Sequence, residues 1–220
     1  MKEKNKIKVV AHRGWSAGKN ENTLEAFKKS AQEKGVDGVE FDIRWNQKRD
    51  KIIISHDSDL TGEALELEEG LKFLANEDLE LFIELKEGDK DLFSQTVVSL
   101  NKYNLKQKTL LFGFKDIVAS FPWGNREGIR LGIISEYPWE ISKDINTFNP
   151  DSVLIGWDDR WWTKPAFKIV WTLFSLPKIC EKYSNVDFAV GVVKSEEDYN
   201  WLCKQEGIYC LTADKPFGWK

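Results

Sequence analysis

Both histidines of this chain stand where a short apolar run ends. His12 follows KIKVVA and His56 follows KIIIS, and the 220-residue sequence contains no other histidine. An imidazole has an ordinary pKa of about 6.5, so it can accept or donate a proton at neutral pH. Two histidines at the ends of two predicted strands therefore indicate a pair of general acid–base groups.

Two pairs of charged residues are spaced two positions apart within further apolar runs. Glu40 and Asp42 lie in GVEFDI, and Glu84 and Lys86 lie in LFIELK. Side chains alternate between the two faces of a strand, so the members of each pair point to the same side. If the apolar neighbours face outward, all four charged groups point towards one centre, where buried charges must be paired or bind a metal.

Three carboxylates from two strands offer oxygen ligands, which suit Mg²⁺ or Ca²⁺ better than zinc. The same residues also allow a second interpretation as salt bridges, for instance Lys86 with a neighbouring acid and Arg44 with Glu40. Arg13 follows His12 directly and precedes a glycine. An arginine fork fits a phosphate group in a bidentate manner, although an Arg-Gly pair alone is common.

Nine predicted strands position these groups, and most are continuous apolar runs of the kind found in parallel sheets covered by helices. They are Ile7–His12, Val36–Ile43, Lys51–His56, Leu79–Lys86, Thr109–Phe114, Arg130–Ile134, Ser152–Trp157, Phe188–Val193 and Ile208–Thr212. Helical patterns lie between them, one running from a cap at Asn22 to Gly35, one over Asp91–Tyr103 and one between Ser195 and Gly207.

Strands that alternate with helices favour a (β/α)8 barrel, with an open doubly wound sheet as the alternative. Nine strands are one more than the barrel needs, so one of them is expected to be wrong or to lie outside it. The connection from Ile43 to Lys51 is too short for a crossover helix, so the barrel should be irregular there.

Length and composition fit a single domain over residues 1–220. The net charge of −4 argues against non-specific nucleic-acid binding, although a few local cations are enough to hold a phosphate. Cys180, Cys203 and Cys210 lack metal-site spacing and predict free thiols in a reducing compartment. No apolar stretch fits a membrane span or a secretory signal, so we expect a cytoplasmic protein without a transmembrane segment.

Taken together, the motifs resemble those of the glycerophosphodiester phosphodiesterase family. HRG, ENT, E-x-D, HD and E-x-K follow one another in AHRGWSAGKNENTLEAF, GVEFDIRWNQKRDKIIISHDSDL and LFIELK. LTADKP, near the C-terminus, resembles a slightly altered form of the family's Thr-Asp-x-Pro segment. The similarity is dense over residues 7–86 and weak beyond them. It implies a (β/α)8 barrel of the phosphatidylinositol-phospholipase-C type that hydrolyses glycerophosphodiesters to sn-glycerol 3-phosphate and an alcohol with Mg²⁺ or Ca²⁺.

The resemblance also implies a role for each matching residue. The metal ligands would be Glu40, Asp42 and Glu84, the general acid and base would be His12 and His56 in an order left open, and the phosphate ligands would be Arg13 and Lys86. Asn22 has two interpretations, either as a helix N-cap or, together with Glu21, as a residue that supports the metal ligands.

The chain departs from the family in the segment between His56 and Glu84, which is too short for the usual insertion subdomain. A lean barrel with the insertion largely absent is therefore expected. Gly191 also replaces a tryptophan that the family commonly has. Sphingomyelinase D and lysophospholipase D relatives lack the insertion too, and they act on lipids.

Several of the ten tryptophans crowd the segment after a late predicted strand, which in a barrel lies on the active-site face. Trp157, Trp161 and Trp162 either contact a lipid chain or pack over the lean barrel in place of the insertion. Three functions thus remain open: a glycerophosphodiester phosphodiesterase, a lysophospholipase D-type or sphingomyelinase D-like enzyme for lipids, and a non-catalytic phosphate-ester binding protein. The two intact histidines argue against the last of these.

Overall fold

The computed structural model describes residues 6–15, 20–59, 62–126, 128–158 and 160–217. Its strands are β1 Lys8–Ala11, β2 Gly38–Trp45, β3 Ile52–Ile54, β4 Leu65–Glu66, β5 Glu80–Leu85, β6 Thr109–Phe112, β7 Arg130–Ile134, β8 Ser152–Gly156, β9 Asp187–Val193 and β10 Ile208–Ala213. Eight of them are parallel and follow the order β1-β10-β9-β8-β7-β6-β5-β2, and β1 pairs with β2 to close the ring. The (β/α)8 barrel is confirmed, and the open sheet is excluded.

The helices are α1 Leu24–Gln32, α2 Leu67–Leu74, α3 Lys90–Lys102, α4 Lys115–Val118, α5 Ile141–Phe148, α6 Thr163–Leu173, α7 Leu176–Lys182 and α8 Glu196–Leu202, with short 3₁₀ helices at His12–Gly14 and Lys106–Lys108. The three helical patterns read from the sequence correspond to α1, α3 and α8. The cap of α1 is Thr23, whose Oγ1 accepts a hydrogen bond from the Ala26 N–H at 3.2 Å. The prediction of Asn22 as the N-cap was therefore wrong by one residue.

The surplus strand of the sequence prediction is β3, which lies outside the barrel. β2 runs past the barrel to Trp45, and β3 folds back along it in antiparallel pairing, with Ile54 opposite Ile43. The Ser55 N–H then donates to the Asp42 carbonyl oxygen at 3.0 Å. This hairpin returns the chain to the level of Asp42, so that His56 comes next to the end of the barrel.

Side chains of the barrel strands alternate between two apolar layers. Phe41, Ile43, Ile83 and Leu85 are fully buried between the strands and the helices. The opposite face of the strands fills the barrel interior with Val10, Phe82, Leu110, Phe112, Ala189 and Cys210. Glu40, Asp42 and Glu84 alternate with the outward-facing residues, so they point inward at the C-terminal end of the barrel. Within the described part of the chain, no helix is long and apolar enough to cross a membrane.

Candidate active site

Three carboxylates meet at the C-terminal end of the barrel. Asp42 of β2 pairs in register with Glu84 of β5, and Glu40 lies one inward position earlier on β2. One oxygen from each carboxylate lies within 4.8 Å of the other two, and all three residues are buried. Burial and the charge of Asp42 raise the pKa of Glu40, and burial is also the main cause of the raised pKa of Glu84. The cluster therefore needs cations beside it.

Lys86 supplies one of these cations. Its Nζ lies 2.9 Å from Asp42 Oδ1 and 2.7 Å from Glu84 Oε1. Burial alone would raise the pKa of Asp42, but Lys86 is the largest of the influences that lower it overall. The salt-bridge interpretation was right for Lys86 but wrong for Arg44, which donates from Nη1 to Ser58 Oγ at 3.1 Å instead of pairing with Glu40.

Arg13 supplies the second cation, and the turn after β1 directs it there. Arg13 has φ 50° and Gly14 has φ 76°, so the chain turns sharply in the left-handed region. The Arg13 N–H donates to Glu40 Oε2 at 2.9 Å, and Arg13 Nε lies 3.2 Å from Asp42 Oδ2. Its Nη1 also donates to Glu21 Oε1 at 2.7 Å. Glu21 thus holds the guanidinium group beside the carboxylates.

Asn22 is buried directly behind Asp42. Its Nδ2 donates to Asp42 Oδ2 at 2.9 Å, and its Oδ1 accepts from the Asp42 N–H at 3.4 Å. Both polar atoms of one amide group therefore contact one residue, which fixes the orientation of the carboxylate. This geometry agrees with the second interpretation of Asn22, support of the acidic cluster.

His12 is held between two acids. Its Nδ1 lies 2.6 Å from Asp214 Oδ1, and its Nε2 lies 3.8 Å from Glu40 Oε2. Burial alone would lower the pKa of His12, but Glu40 and Asp214 outweigh it, and the pKa is raised. The sequence interpretation missed Asp214. It follows β10 directly, in the LTADKP segment, and the pairing of Ala11 with Ala213 places it beside His12.

His56 reaches the site from the β2–β3 hairpin, so the expectation that it ends a barrel strand was wrong. Its Nδ1 lies 2.9 Å from Asp57 Oδ1, and 38% of its side chain is exposed. When protonated, His56 acts to lower the pKa of Glu84, so it lies within electrostatic reach of the acidic cluster. The two histidines therefore differ in environment, since His12 is half-buried and His56 lies at the surface.

A largely apolar cavity of about 410 Å³ opens beside the acidic cluster. Its lining includes His12, Glu40, Glu84, Phe112, Phe114, Tyr137, Trp139, Trp157, Trp162, Phe167, Val170 and Gly191. Trp157 packs against Phe167 with ring centroids 5.0 Å apart. Trp161, in contrast, is 88% exposed and is not part of the lining.

Fold and site together define a (β/α)8-barrel protein with a buried acidic centre, two imidazoles and two cations at its C-terminal end. The model of the glycerophosphoryl diester phosphodiesterase family matches residues 12–213. The chain belongs to this family. The match begins at His12 and ends at Ala213, one residue before Asp214, so it includes both histidines, the three carboxylates, Arg13 and Lys86.

Individual relatives agree with this assignment. A glycerophosphodiester phosphodiesterase of Caldanaerobacter subterraneus subsp. tengcongensis is 28% identical over 144 residues, a match that covers 50% of this chain and 58% of that relative. A solved glycerophosphodiester phosphodiesterase from Parabacteroides distasonis has a TM-score of 0.75 at 18% identity and covers 96% of this chain and 94% of its own. One from Agrobacterium tumefaciens has a TM-score of 0.70 at 15% identity, with coverage of 96% and 97%. At these identities the solved structures establish the shared fold.

Proposed function

We propose that the chain is a metal-dependent phosphodiesterase that hydrolyses glycerophosphodiesters to sn-glycerol 3-phosphate and an alcohol. The observation that carries the proposal is the placement of two histidines and two cations around a buried cluster of three carboxylates. A binding protein for phosphate esters would need the cations but not two groups that transfer protons. Membership of the family supports the same reaction.

The acidic cluster fits a hard divalent cation. Glu40, Asp42 and Glu84 each offer an oxygen, and the oxygens lie within 4.8 Å of one another. Oxygen ligands of this kind suit Mg²⁺ or Ca²⁺, which would stabilise the charge on the phosphate oxygens. Arg13 and Lys86 contact the same carboxylates, so both are placed to neutralise a phosphate next to them.

The histidines transfer the protons in this proposal. Asp214 holds Nδ1 of His12, which leaves Nε2 of that ring for the substrate. Asp57 engages Nδ1 of His56 in the same way. One imidazole accepts a proton from the attacking hydroxyl group as the new P–O bond forms, and the other donates a proton to the leaving oxygen as the old bond breaks. Which ring plays which role stays open.

The test uses glycerophosphocholine with Mg²⁺, Ca²⁺ or EDTA, and it measures the choline and the glycerol 3-phosphate released. We expect both products only with a divalent cation. His12→Ala and His56→Ala should each remove nearly all turnover, and calorimetry should show that they still bind the cation. Full activity in EDTA would contradict the metal site, and a near-normal rate in either variant would contradict the acid–base assignment.

The apolar cavity favours a second candidate substrate, a lysophospholipid whose acyl chain lies against Trp162. Trp162→Ala should then impair hydrolysis of monomeric lysophosphatidylcholine and spare glycerophosphocholine. Trp161→Ala is the matched control, because this neighbouring ring does not line the cavity. Lysophosphatidic acid is the product to quantify. Equal losses on both substrates in Trp162→Ala would count against the acyl-chain site.

We also propose one domain over residues 1–220 and a cytoplasmic location. The family match runs from residue 12 to residue 213, which supports a single domain. Cys180, Cys203 and Cys210 are free thiols, as is typical of a reducing compartment. Cell fractionation tests the location, and recovery in an oxidising compartment would contradict it.

A further inference from the structure

The exposed apolar surface of the described residues is concentrated in one region. Seven of the nine large hydrophobic side chains exposed there lie between residues 137 and 174. Six of these form what we call the aromatic rim: Tyr137, Trp139, Trp162, Ile169, Leu173 and Phe174. Leu173 is 73% exposed and Trp139 is 61% exposed. Single apolar side chains scattered over a surface are ordinary, but an apolar patch of this kind marks an interaction surface.

The aromatic rim is continuous with the mouth of the cavity. The rings of Tyr137 and Trp139 stack with centroids 5.0 Å apart, and Trp139 lies 6.4 Å from Phe174. Tyr137, Trp139 and Trp162 also line the cavity. Whatever covers the aromatic rim therefore also faces the entrance to the candidate active site.

Helix α6 is apolar on two faces. Phe167 and Trp171 are buried against the barrel. Ile169 and Leu173, four residues apart, form an outer stripe that is exposed. A helix in water normally carries polar residues on its outer face, so α6 has the pattern of an element that is covered on both sides.

Charge identifies the kind of partner. Residues 160–182, which carry α6 and α7, include five cationic residues and one acid, although the whole chain has a net charge of −4. Lys164 and Lys168 are held by Asp198 at 3.1 Å and 2.9 Å. Lys178 and Lys182 remain exposed on α7, which follows Phe174.

Acids next to the aromatic rim neutralise part of this charge, because Arg160, Lys164 and Lys168 are all paired with carboxylates. Asp158 is paired with Arg160, whose guanidinium group also lies 4.9 Å from the centroid of the Trp162 ring. Glu140 is paired with Lys115. The exposed cations that follow the rim along the chain are thus Lys178 and Lys182 on α7, with the exposed acid Glu181 between them.

We propose that the aromatic rim docks on an anionic lipid bilayer. Tryptophan and tyrosine prefer the boundary between the headgroups and the acyl chains, and cations beside an apolar helix face contact anionic headgroups. Docking places the cavity mouth against the bilayer. Docking itself does not depend on the proposed function. Only its consequence rests on that function, namely that lipid substrates reach the site from the membrane.

The test measures sedimentation of the purified 220-residue chain with vesicles. We expect binding to phosphatidylcholine vesicles that contain phosphatidylglycerol, and weaker binding to phosphatidylcholine alone. Leu173→Gln with Phe174→Gln should weaken the partition coefficient at least about tenfold, because two exposed apolar side chains lose their contact with lipid. Neither residue lines the cavity, so hydrolysis of glycerophosphocholine should stay unchanged.

Val98→Gln is the matched control, because Val98 is 66% exposed on α3, away from the aromatic rim. This variant should bind vesicles like the wild type. Equal binding to neutral and anionic vesicles, or an unchanged partition in the double variant, would overturn the proposal. The proposal would also be overturned if the wild-type chain failed to bind vesicles but formed a dimer in light scattering, and if the double variant were monomeric. The aromatic rim would then be a contact between two copies of the chain. Vesicle binding by a chain that is inactive on glycerophosphocholine would support docking and refute the proposed function instead.

Discussion

The contact between His12 and Asp214 leads to a quantitative prediction. Asp214→Asn should keep the shape of this contact but remove the charge that holds His12 Nδ1 at 2.6 Å. The asparagine can present either its oxygen or its NH₂ group, so the ring is no longer fixed in one tautomer. In part of the molecules the neutral ring then carries its proton on Nε2 instead of Nδ1.

The structure also sets the size of the effect. A hydrogen bond to a charged group contributes about 1.5–3 kcal/mol, which corresponds to a loss in kcat of about 10- to 150-fold. The KM for glycerophosphocholine should change little, because Asp214 lies behind the ring and not against the acidic cluster. Steady-state kinetics at saturating divalent cation measures both parameters.

Asp57→Asn is the matched control for this prediction. Asp57 contacts His56 Nδ1 at 2.9 Å, but its side chain is 92% exposed, compared with 27% for Asp214. Exposed ion pairs contribute about 0–1 kcal/mol, so Asp57→Asn should reduce kcat less than about fivefold. Equal losses in both variants, or a normal kcat in Asp214→Asn, would refute the reasoning from burial.

Three further outcomes are expected. Gly14→Ala should lower the free energy of unfolding by about 2–4 kcal/mol in urea titrations, because Gly14 has φ 76° and the new Cβ would lie 2.7 Å from Phe27 Cδ1. Burial alone would raise the pKa of Asp198, but its hydrogen-bond donors, including Lys168, hold it below its ordinary value. The contribution of Asp198 to stability is thus complete above its unfolded pKa of about 3.9 and is lost as the pH falls through its folded pKa. Asp198→Asn should therefore weaken the dependence of stability on pH in the acid range, which circular dichroism measures. A divalent cation at 100 times its Kd should raise the free energy of unfolding by about 2.7 kcal/mol. Calorimetry should show the corresponding rise in Tm for the wild type and no such rise for Asp42→Asn.

The barrel was predictable from the sequence because its strands are continuous apolar runs, and such runs have few alternatives to a buried parallel strand. The inward direction of Glu40, Asp42 and Glu84 also followed from the alternation of side chains along β2 and β5. The resemblance to the family then joined these residues with the two histidines, and the family match confirms the relationship.

Pairing partners and loop contacts were not predictable in the same way. An apolar run indicates a strand but not its neighbour, so β3 could not be distinguished from a barrel strand by composition. Asp214 lies in the LTADKP segment that resembles a family motif, but this resemblance gave it no partner, and its contact with His12 depends on the pairing of β10 with β1. The exposure of Trp161 and the position of Trp162 at the cavity lining likewise depend on the path of the chain into α6.

The two histidines are fixed by different parts of the fold. His12 follows a barrel strand, and Asp214, directly after the neighbouring strand, holds it, so closure of the barrel itself positions this ring. His56 depends on the hairpin of β2 and β3, which α2 supports from outside, and a Cβ on Gly70 of α2 would lie 2.6 Å from Ile54 Cδ1. A side chain at position 70 would therefore displace either the end of the Ile54 side chain or α2 itself. The excursion outside the barrel is therefore what completes the candidate site, because through it the chain brings its second imidazole within electrostatic reach of the acidic cluster.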